Sequence, residues 1–139
     1  MKKITSVGFA VKILSNQFRR NLKLNDDLTD MQGRIICFLY KNGSELIYQR
    51  DIESRFNIRR STVTGILQLM EKNGLLVRSP VSNDARLKKL ELTDKAIAMH
   101  EEFERRAKEL DELASKGISK EELDSFIETA NKMINNLSE

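Results

Sequence analysis

Cysteine and histidine are almost absent from this sequence, which has one residue of each type in 139 positions. A single cysteine cannot form an internal disulfide, and this suits a reducing compartment. A zinc site needs several histidine, cysteine or carboxylate ligands that converge on the metal. We therefore expect neither a bound metal nor another cofactor.

Motifs of catalysis and of membrane insertion are missing as well. The sequence has no glycine-rich phosphate loop, no nucleophile elbow and no recognisable acid–base pair, so we do not expect an enzyme. No apolar run is long enough to span a membrane. The start, MKKITSVGFAVKIL, has the charges of a signal peptide, but Lys12 interrupts it and no cleavage site follows. We predict a mature amphipathic helix there and a cytoplasmic protein.

Charge is distributed unevenly along the chain. Lysine plus arginine exceed aspartate plus glutamate by four in residues 1–48 and by five in residues 49–90, whereas residues 91–139 carry a net charge of −6. Such a basic region beside an acidic end is typical of a protein that binds a phosphate backbone. Ordinary scatter of surface charge is an alternative explanation for a difference of this size.

Residues 48–93 have the pattern of two short helices followed by a β-hairpin. The predicted helices are Gln49–Phe56 and 60–73, and the predicted strands are 75–79 and 87–92 around a loop at 80–85. The second helix has an apolar stripe at spacings of three and four, and Gly74 suits its end. Alternation of apolar and charged residues predicts the last strand. This order of elements indicates a winged helix-turn-helix.

The start of the second predicted helix carries charge of the unfavourable sign. Helix N-termini favour acidic or capping residues, yet Arg59 and Arg60 stand there, beside Ser61, Thr62 and Thr64. A polyanion bound at this end would relieve the misfit. In DNA-binding helix-turn-helix proteins, these positions contact base edges in the major groove. Solvated arginines on an exposed turn are an equal alternative from this pattern alone.

The hairpin loop favours the DNA-binding interpretation. Asp84 precedes Arg86 by two residues, so its carboxylate can hold the guanidinium in one pose. An arginine held at the tip of a projecting wing suits the narrow, electronegative minor groove. Lys88 and Lys89 follow and are expected to contact phosphates.

Residues 28–93 resemble the DNA-binding region of the MarR family of transcriptional regulators. The resemblance rests on the following segments: Leu28-Thr29-x-x-Gln32, Ser61-Thr62-Val63-Thr64, Leu69-x-Glu71-Lys72-x-Gly74-Leu75, Arg78, Asp84-x-Arg86 and Leu92-Thr93. It implies that Arg59, Arg60, Ser61, Thr62 and Thr64 contact the major groove and that Arg86 enters the minor groove. The sequence departs from the family pattern at Tyr48, Gly65 and Ala96.

Amphipathic helices are predicted on both sides of the winged region. The N-terminal one covers 4–24, Thr29 opens a capping box with Gln32, Thr93 caps a helix over 94–114, and Ser119 opens another capping box before the last helix. So many apolar stripes cannot all pack on so small a core. We therefore predict one domain over 1–139, mainly α with a small β-hairpin wing. Its winged helix-turn-helix, 29–93, is flanked by dimerisation helices over 1–24 and 94–138 that pair about a two-fold axis.

Three further residue sets have candidate roles. By analogy with the family, a small aromatic anion acting as effector would contact the residues Phe9, Ile13, Arg34, Phe38 and His100, with Arg34 pairing its charge. Cys37 is a candidate redox switch, although its apolar neighbours favour a core cysteine. His100 is otherwise an ordinary interface or surface histidine.

These observations predict a cytoplasmic homodimer that regulates transcription by binding a pseudo-palindromic operator in double-stranded DNA. The family resemblance favours a repressor over an activator. Two alternatives remain: a winged-helix module that binds an acidic protein partner, and a thiol-based redox sensor that uses Cys37.

Overall fold

The computed structural model describes residues 3–22, 28–81 and 84–138, which contain six helices and one antiparallel pair of strands. In chain order these are α1 Val7–Leu22, α2 Asp30–Lys41, α3 Gln49–Phe56, α4 Arg60–Lys72, β1 Leu76–Val81, β2 Asp84–Leu92, α5 Asp94–Ala114 and α6 Lys120–Leu137. The predicted fold class, a winged helix-turn-helix with flanking helices, is confirmed. None of the described helices is long and apolar enough to cross a membrane.

By its internal contacts the chain divides into two compact units, residues 23–104 and residues 1–22 with 105–139. In the first, α2 begins at the predicted capping box. The Thr29 hydroxyl accepts a hydrogen bond from the Gln32 backbone N–H, and the Gln32 carboxamide oxygen accepts one from the Thr29 N–H, both at 3.2 Å. These bonds satisfy two backbone donors that the helix itself leaves without partners.

The turn between α3 and α4 depends on a left-handed residue. Asn57 has φ 52° and ψ 52°, a conformation that asparagine tolerates better than most residues. The Ile58 N–H then donates to the Glu53 carbonyl at 3.1 Å and closes the end of α3. At its start, the Asp51 carboxylate accepts from the Tyr48 N–H at 2.8 Å. This bond satisfies the Tyr48 N–H, whereas the Tyr48 side chain itself makes no capping hydrogen bond.

The buried core of this unit comes from every element of the winged region. Ile52 of α3 and Val63, Leu67 and Met70 of α4 are 0% exposed, so the predicted apolar stripe of α4 faces inward. The other buried apolar members are Ile35, Ile36, Leu39, Ile47, Leu75, Leu76, Leu90 and Ala96. This packing fixes which side of α4 remains exposed.

The hairpin is longer than predicted. Leu76 pairs with Leu92 and Pro80 with Lys88, but the next pair is Val81 with Asp84, so the register shifts between Pro80 and Val81. Because Pro80 lies on an edge strand, the missing proline N–H removes no bond to a further strand. Both ends of the predicted loop at 80–85 therefore belong to the strands instead. Residues 82–83 lie outside the described part of the chain.

Hydrogen bonds join the end of α4 to the start of α5. The Thr93 hydroxyl donates to the Gly74 carbonyl at 2.6 Å, and the Lys95 ammonium donates to the Asn73 carbonyl at 3.0 Å. The Thr93 hydroxyl also accepts from the Ala96 N–H at 3.2 Å, which confirms the predicted cap. Carbonyls at the C-terminus of α4 thus receive donors from the element that follows the wing.

The other unit contains α1, α6 and the second half of α5. Helix α1 begins at Val7 rather than residue 4, because the Ser6 hydroxyl accepts from the Phe9 N–H at 3.5 Å and caps it there. It ends at Leu22, and the predicted extension to residue 24 lies outside the described residues. The Ser119 hydroxyl accepts from the Glu122 N–H at 3.1 Å and starts α6. Neither α1 nor α6 contributes a fully buried side chain within the single chain.

Candidate nucleic-acid interface

The N-terminus of α4 presents two exposed cations. Arg59 is the N-cap residue, and its side chain makes no capping hydrogen bond. Arg60 follows as the first helical residue, and the first turn contains no acidic side chain. Ser61 and Thr62 beside them are exposed. The positive end of the helix dipole therefore carries two guanidinium groups and no negative charge, which favours an anion from outside.

One side of α4 faces away from the core and is exposed along its length. Ser61, Gly65 and Gln68 share this side at spacings of four and three, and all three are exposed. Gln68 was not among the functional residues predicted from the sequence. The sequence could have indicated it, because Gln68 lies seven residues after Ser61 and so on the same face of the helix. A carboxamide on this face can form two hydrogen bonds with adenine.

Replacing Gly65 by alanine should stabilise the protein. A Cβ at Gly65 would have no heavy atom within 4 Å, and the residue is exposed within α4. Because glycine costs a helix about 1 kcal/mol relative to alanine, we expect Gly65→Ala to raise the free energy of unfolding by about that amount in urea titrations.

The matched control is Gly74→Ala. Gly74 has φ +72°, so the substitution should lower the free energy of unfolding by about 1–2 kcal/mol although a Cβ would meet no atom there either. Equal effects of the two substitutions would contradict this account of Gly65.

The wing tip is organised through the backbone. The Asp84 carboxylate accepts a hydrogen bond from the Arg86 backbone N–H at 2.9 Å, whereas the sequence analysis expected it to hold the guanidinium. A side-chain bond to the amide two residues on is the usual local bond of aspartate in a turn. Asp84 thus fixes the backbone conformation at Arg86, whose side chain is exposed.

The two lysines after the wing tip differ in their surroundings. As consecutive residues of β2, Lys88 and Lys89 point to opposite faces of the hairpin. Lys88 is exposed. The Lys89 ammonium lies 2.7 Å from the Glu91 carboxylate, so one of its three N–H donors already has a partner.

An ion pair joins the wing to α4. Nε of Arg78 in β1 lies 3.0 Å from the Glu71 carboxylate in α4, and the Arg78 side chain is 20% exposed. In the sequence, both residues are only parts of the segments that resemble the family. Their pairing depends on how the hairpin folds back beside the helix, so spacing along the chain did not reveal it.

The five candidate effector residues divide between the two units. Phe9, which is exposed, and Ile13, which is half-buried, belong to α1. Arg34 lies on α2, where its guanidinium is 3.3 Å from the Asp30 carboxylate. Phe38 packs edge-on against Phe56, with 6.0 Å between ring centroids. Arg34 and Phe38 therefore already contact other residues, and Phe9 is exposed.

His100, the remaining candidate, is buried against Tyr40, with 4.4 Å between ring centroids. Its Nε2 lies 3.0 Å from the Glu104 carboxylate, and the Tyr40 hydroxyl donates to Glu101 at 3.3 Å. The negative charge of Glu101, with a further contribution from burial, raises the pKa of Tyr40. Cys37, on the same helix as Tyr40, is half-buried rather than part of the buried core.

Comparison with known proteins agrees with this geometry. Residues 26–87 match the family model of the MarR family. The HTH-type transcriptional regulator FarR of Neisseria gonorrhoeae is 42% identical over 94 residues, which are 68% of this chain and 62% of FarR. The match thus spans less than two thirds of that relative's length.

Solved structures show the same fold. MepR, a transcription regulator of the Staphylococcus aureus multidrug efflux pump MepA, superposes with a TM-score of 0.76 at 23% identity, over 96% of this chain and 100% of MepR. A MepR variant bound to an oligodeoxyribonucleotide has a TM-score of 0.73 at 24% identity, over 97% of this chain and 100% of that one. Together with the winged helix-turn-helix described above, the family match and the FarR similarity identify residues 26–87 as a MarR family region.

Proposed function

We propose that this protein is a transcriptional regulator that binds a specific sequence in double-stranded DNA. The observation that carries the proposal is the uncapped N-terminus of α4, where exposed Arg59 and Arg60 stand beside exposed Ser61 and Thr62. Such a surface attracts a polyanion and offers donors suited to base edges. The family, and the oligodeoxyribonucleotide complex of a MepR variant, support the same conclusion.

The residues divide into three groups by role. Five at the start of α4 contact bases in the major groove: Arg59, Arg60, Ser61, Thr62 and Thr64. Arg86 enters the minor groove from the wing tip, with Asp84 fixing its backbone. Lys88 and Lys89 bind phosphates, and Lys89 uses the N–H donors that Glu91 does not take. Gln68 joins the base-contacting face because it is exposed beside Gly65.

The protein acts as a homodimer in this proposal, and residues 1–139 form one functional domain. Helices 1–24 and 94–138 bury their apolar stripes against the same helices of a second copy, whereas 29–93 contacts DNA. The support is that α1 and α6 leave large apolar side chains exposed in the single chain, including Val11 at 60% and Ile134 at 58%. A two-fold dimer binds a pseudo-palindrome with half-sites about 34–36 Å apart.

Repression released by a small aromatic anion is the expected mode of regulation in the cytoplasm. The effector would contact the set Phe9, Ile13, Arg34, Phe38 and His100, with Arg34 exchanging Asp30 for the ligand's charge. MepR has been solved with bound ethidium bromide, an aromatic cation, so it supports a small-molecule ligand but not the negative charge proposed here. If aromatic acids at millimolar concentration leave both the melting temperature and the DNA affinity unchanged, the effector hypothesis fails.

Fluorescence anisotropy tests the central claim. The probes are the promoter DNA beside the protein's own coding region and a scrambled duplex of equal length, each measured at two salt concentrations. We expect tight binding to the promoter alone and weaker binding at higher salt, because bound phosphates release counterions. Equal affinity for both duplexes would indicate a general DNA binder, and no binding to either would favour a protein partner.

Replacing Arg86 by alanine should weaken DNA binding and reduce the slope of log affinity against log salt by about one unit per subunit. Lys132→Ala is the control, because it removes an equal charge from α6, outside the proposed DNA surface. An unchanged slope for the Arg86 variant would argue against the minor-groove role.

A further inference from the structure

A polar bridge between α3 and α4 involves one of the proposed base-contacting residues. Gln49, the first residue of α3, is half-buried and lies fifteen positions before Thr64. Its side-chain Nε2 donates a hydrogen bond to the Thr64 hydroxyl at 2.8 Å and lies 3.4 Å from the Arg60 carbonyl. The sequence alone predicts no role for Gln49, since only the folded turn brings the two helix starts together.

The bridge determines what Thr64 can offer to DNA. Its hydroxyl donates its one proton to the Arg60 carbonyl at 2.9 Å. Phosphate oxygens, guanine O6 and N7, and thymine O4 only accept hydrogen bonds, so the Thr64 hydroxyl cannot bond them while that contact lasts. The oxygen keeps one lone pair, which in the major groove can accept only from adenine N6 or cytosine N4, so the methyl group is the part of the side chain left for a contact with thymine.

We propose that Gln49 is a positioning residue that holds the Thr64 oxygen inward, and that the Thr64 methyl group contacts the 5-methyl group of one thymine in each half-site. The inference rests on the proposed DNA binding and adds a specificity to it. Threonine methyl groups suit the thymine methyl in the major groove. Thr64 lies at the edge of the exposed face of α4, half-buried, which suits an apolar contact closed off from water.

The probe is a duplex selected by the protein from a random-sequence library, together with copies in which each thymine is replaced in turn by uracil. Uracil removes the methyl group and leaves every hydrogen-bonding atom of the base. For the wild-type protein we expect one thymine per half-site where uracil lowers affinity about 4-fold, the value of one buried methyl-sized group.

Two variants of Thr64 separate its methyl group from its hydroxyl. Thr64→Ser keeps the hydroxyl and loses the methyl in both subunits, so it should bind the thymine duplex about 16-fold more weakly, about 4-fold for each half-site, and no longer distinguish uracil. Thr64→Val keeps a methyl group in the same place and should still distinguish the two bases. A serine variant that retains the full thymine preference would overturn the proposal.

Gln49→Met tests the positioning role, because methionine has similar length and cannot donate the bond. We expect the ratio of thymine to uracil affinity at that position to fall toward one, whereas the melting temperature changes little. A lower melting temperature with an unchanged ratio would make Gln49 merely structural and would contradict its assigned role. Introducing Thr64→Val into this variant should restore the ratio, since no hydroxyl remains to turn outward.

The experiment distinguishes failure of this inference from failure of the proposed function. If selection yields a specific duplex but no thymine in it depends on Thr64, the methyl contact is wrong and DNA binding stands. If selection yields no preferred sequence, specific DNA binding itself is wrong and the inference falls with it.

Discussion

The double variant Arg59→Ser, Arg60→Ala should lose most of its affinity for the operator and gain stability. Each arginine that bonds a base is worth about 1–3 kcal/mol, so the pair should cost about 2–6 kcal/mol for each half-site, or a factor of about 30 to 10⁴ for each half-site. Serine at the N-cap should return about 0.5–2 kcal/mol to folding, because the wild-type cap residue makes no capping bond. Operator titrations and urea unfolding measure the two effects.

We expect the two effects to have opposite signs: operator affinity falls and the free energy of unfolding rises. Both cations stand at the positive end of the α4 dipole, which is costly for folding and useful for binding a polyanion. The control is Lys120→Ala with Lys132→Ala, which removes the same charge from α6. If the control weakens operator binding as much as the arginine variant does, then net charge explains the loss and the base contacts do not.

The second large effect concerns α6. Ile127 and Ile134 share one side of the helix, and each is 58% exposed in the single chain. Burying an isoleucine contributes about 1.5–3 kcal/mol, and two-fold symmetry counts every substitution twice. Ile127→Asp with Ile134→Asp should therefore remove about 6–12 kcal/mol of association, a weakening of 10⁴-fold or more.

Sedimentation gives the direct measurement. The wild type should have about twice the 16.0 kDa chain mass, and the variant should have the mass of one chain. Ser125→Asp adds a carboxylate on the opposite side of α6 and should leave the dimer intact. Operator affinity should also fall when the dimer dissociates, because a single subunit contacts only one half-site. A monomeric wild type would remove the basis for a palindromic site.

Local chemistry was sufficient to predict most of the helix boundaries. The Thr29 capping box, the glycine stop at position 74 and the exact span of α3 follow from residues within a few positions of each other, and the structure confirms them. The stripe that α4 buries was likewise evident, because helical spacing places it on one side whatever the neighbouring elements are. Local bonds also begin α1 at Val7, where Ser6 caps it, although hydrophobic periodicity extended the prediction by three residues.

The side-chain partners depended on contacts between elements that are distant in sequence. Gln49 meets Thr64 only because the turn at Asn57 folds α3 against α4, and Arg78 meets Glu71 only because the hairpin returns beside α4. The sequence thus determined which residues form helices, which faces are apolar and where the basic groups lie, since propensity, periodicity and charge are local. The tertiary structure alone decided which polar atoms are already bonded and which remain available to DNA, because hydrogen bonds form over about 3 Å and residue spacing does not specify such distances.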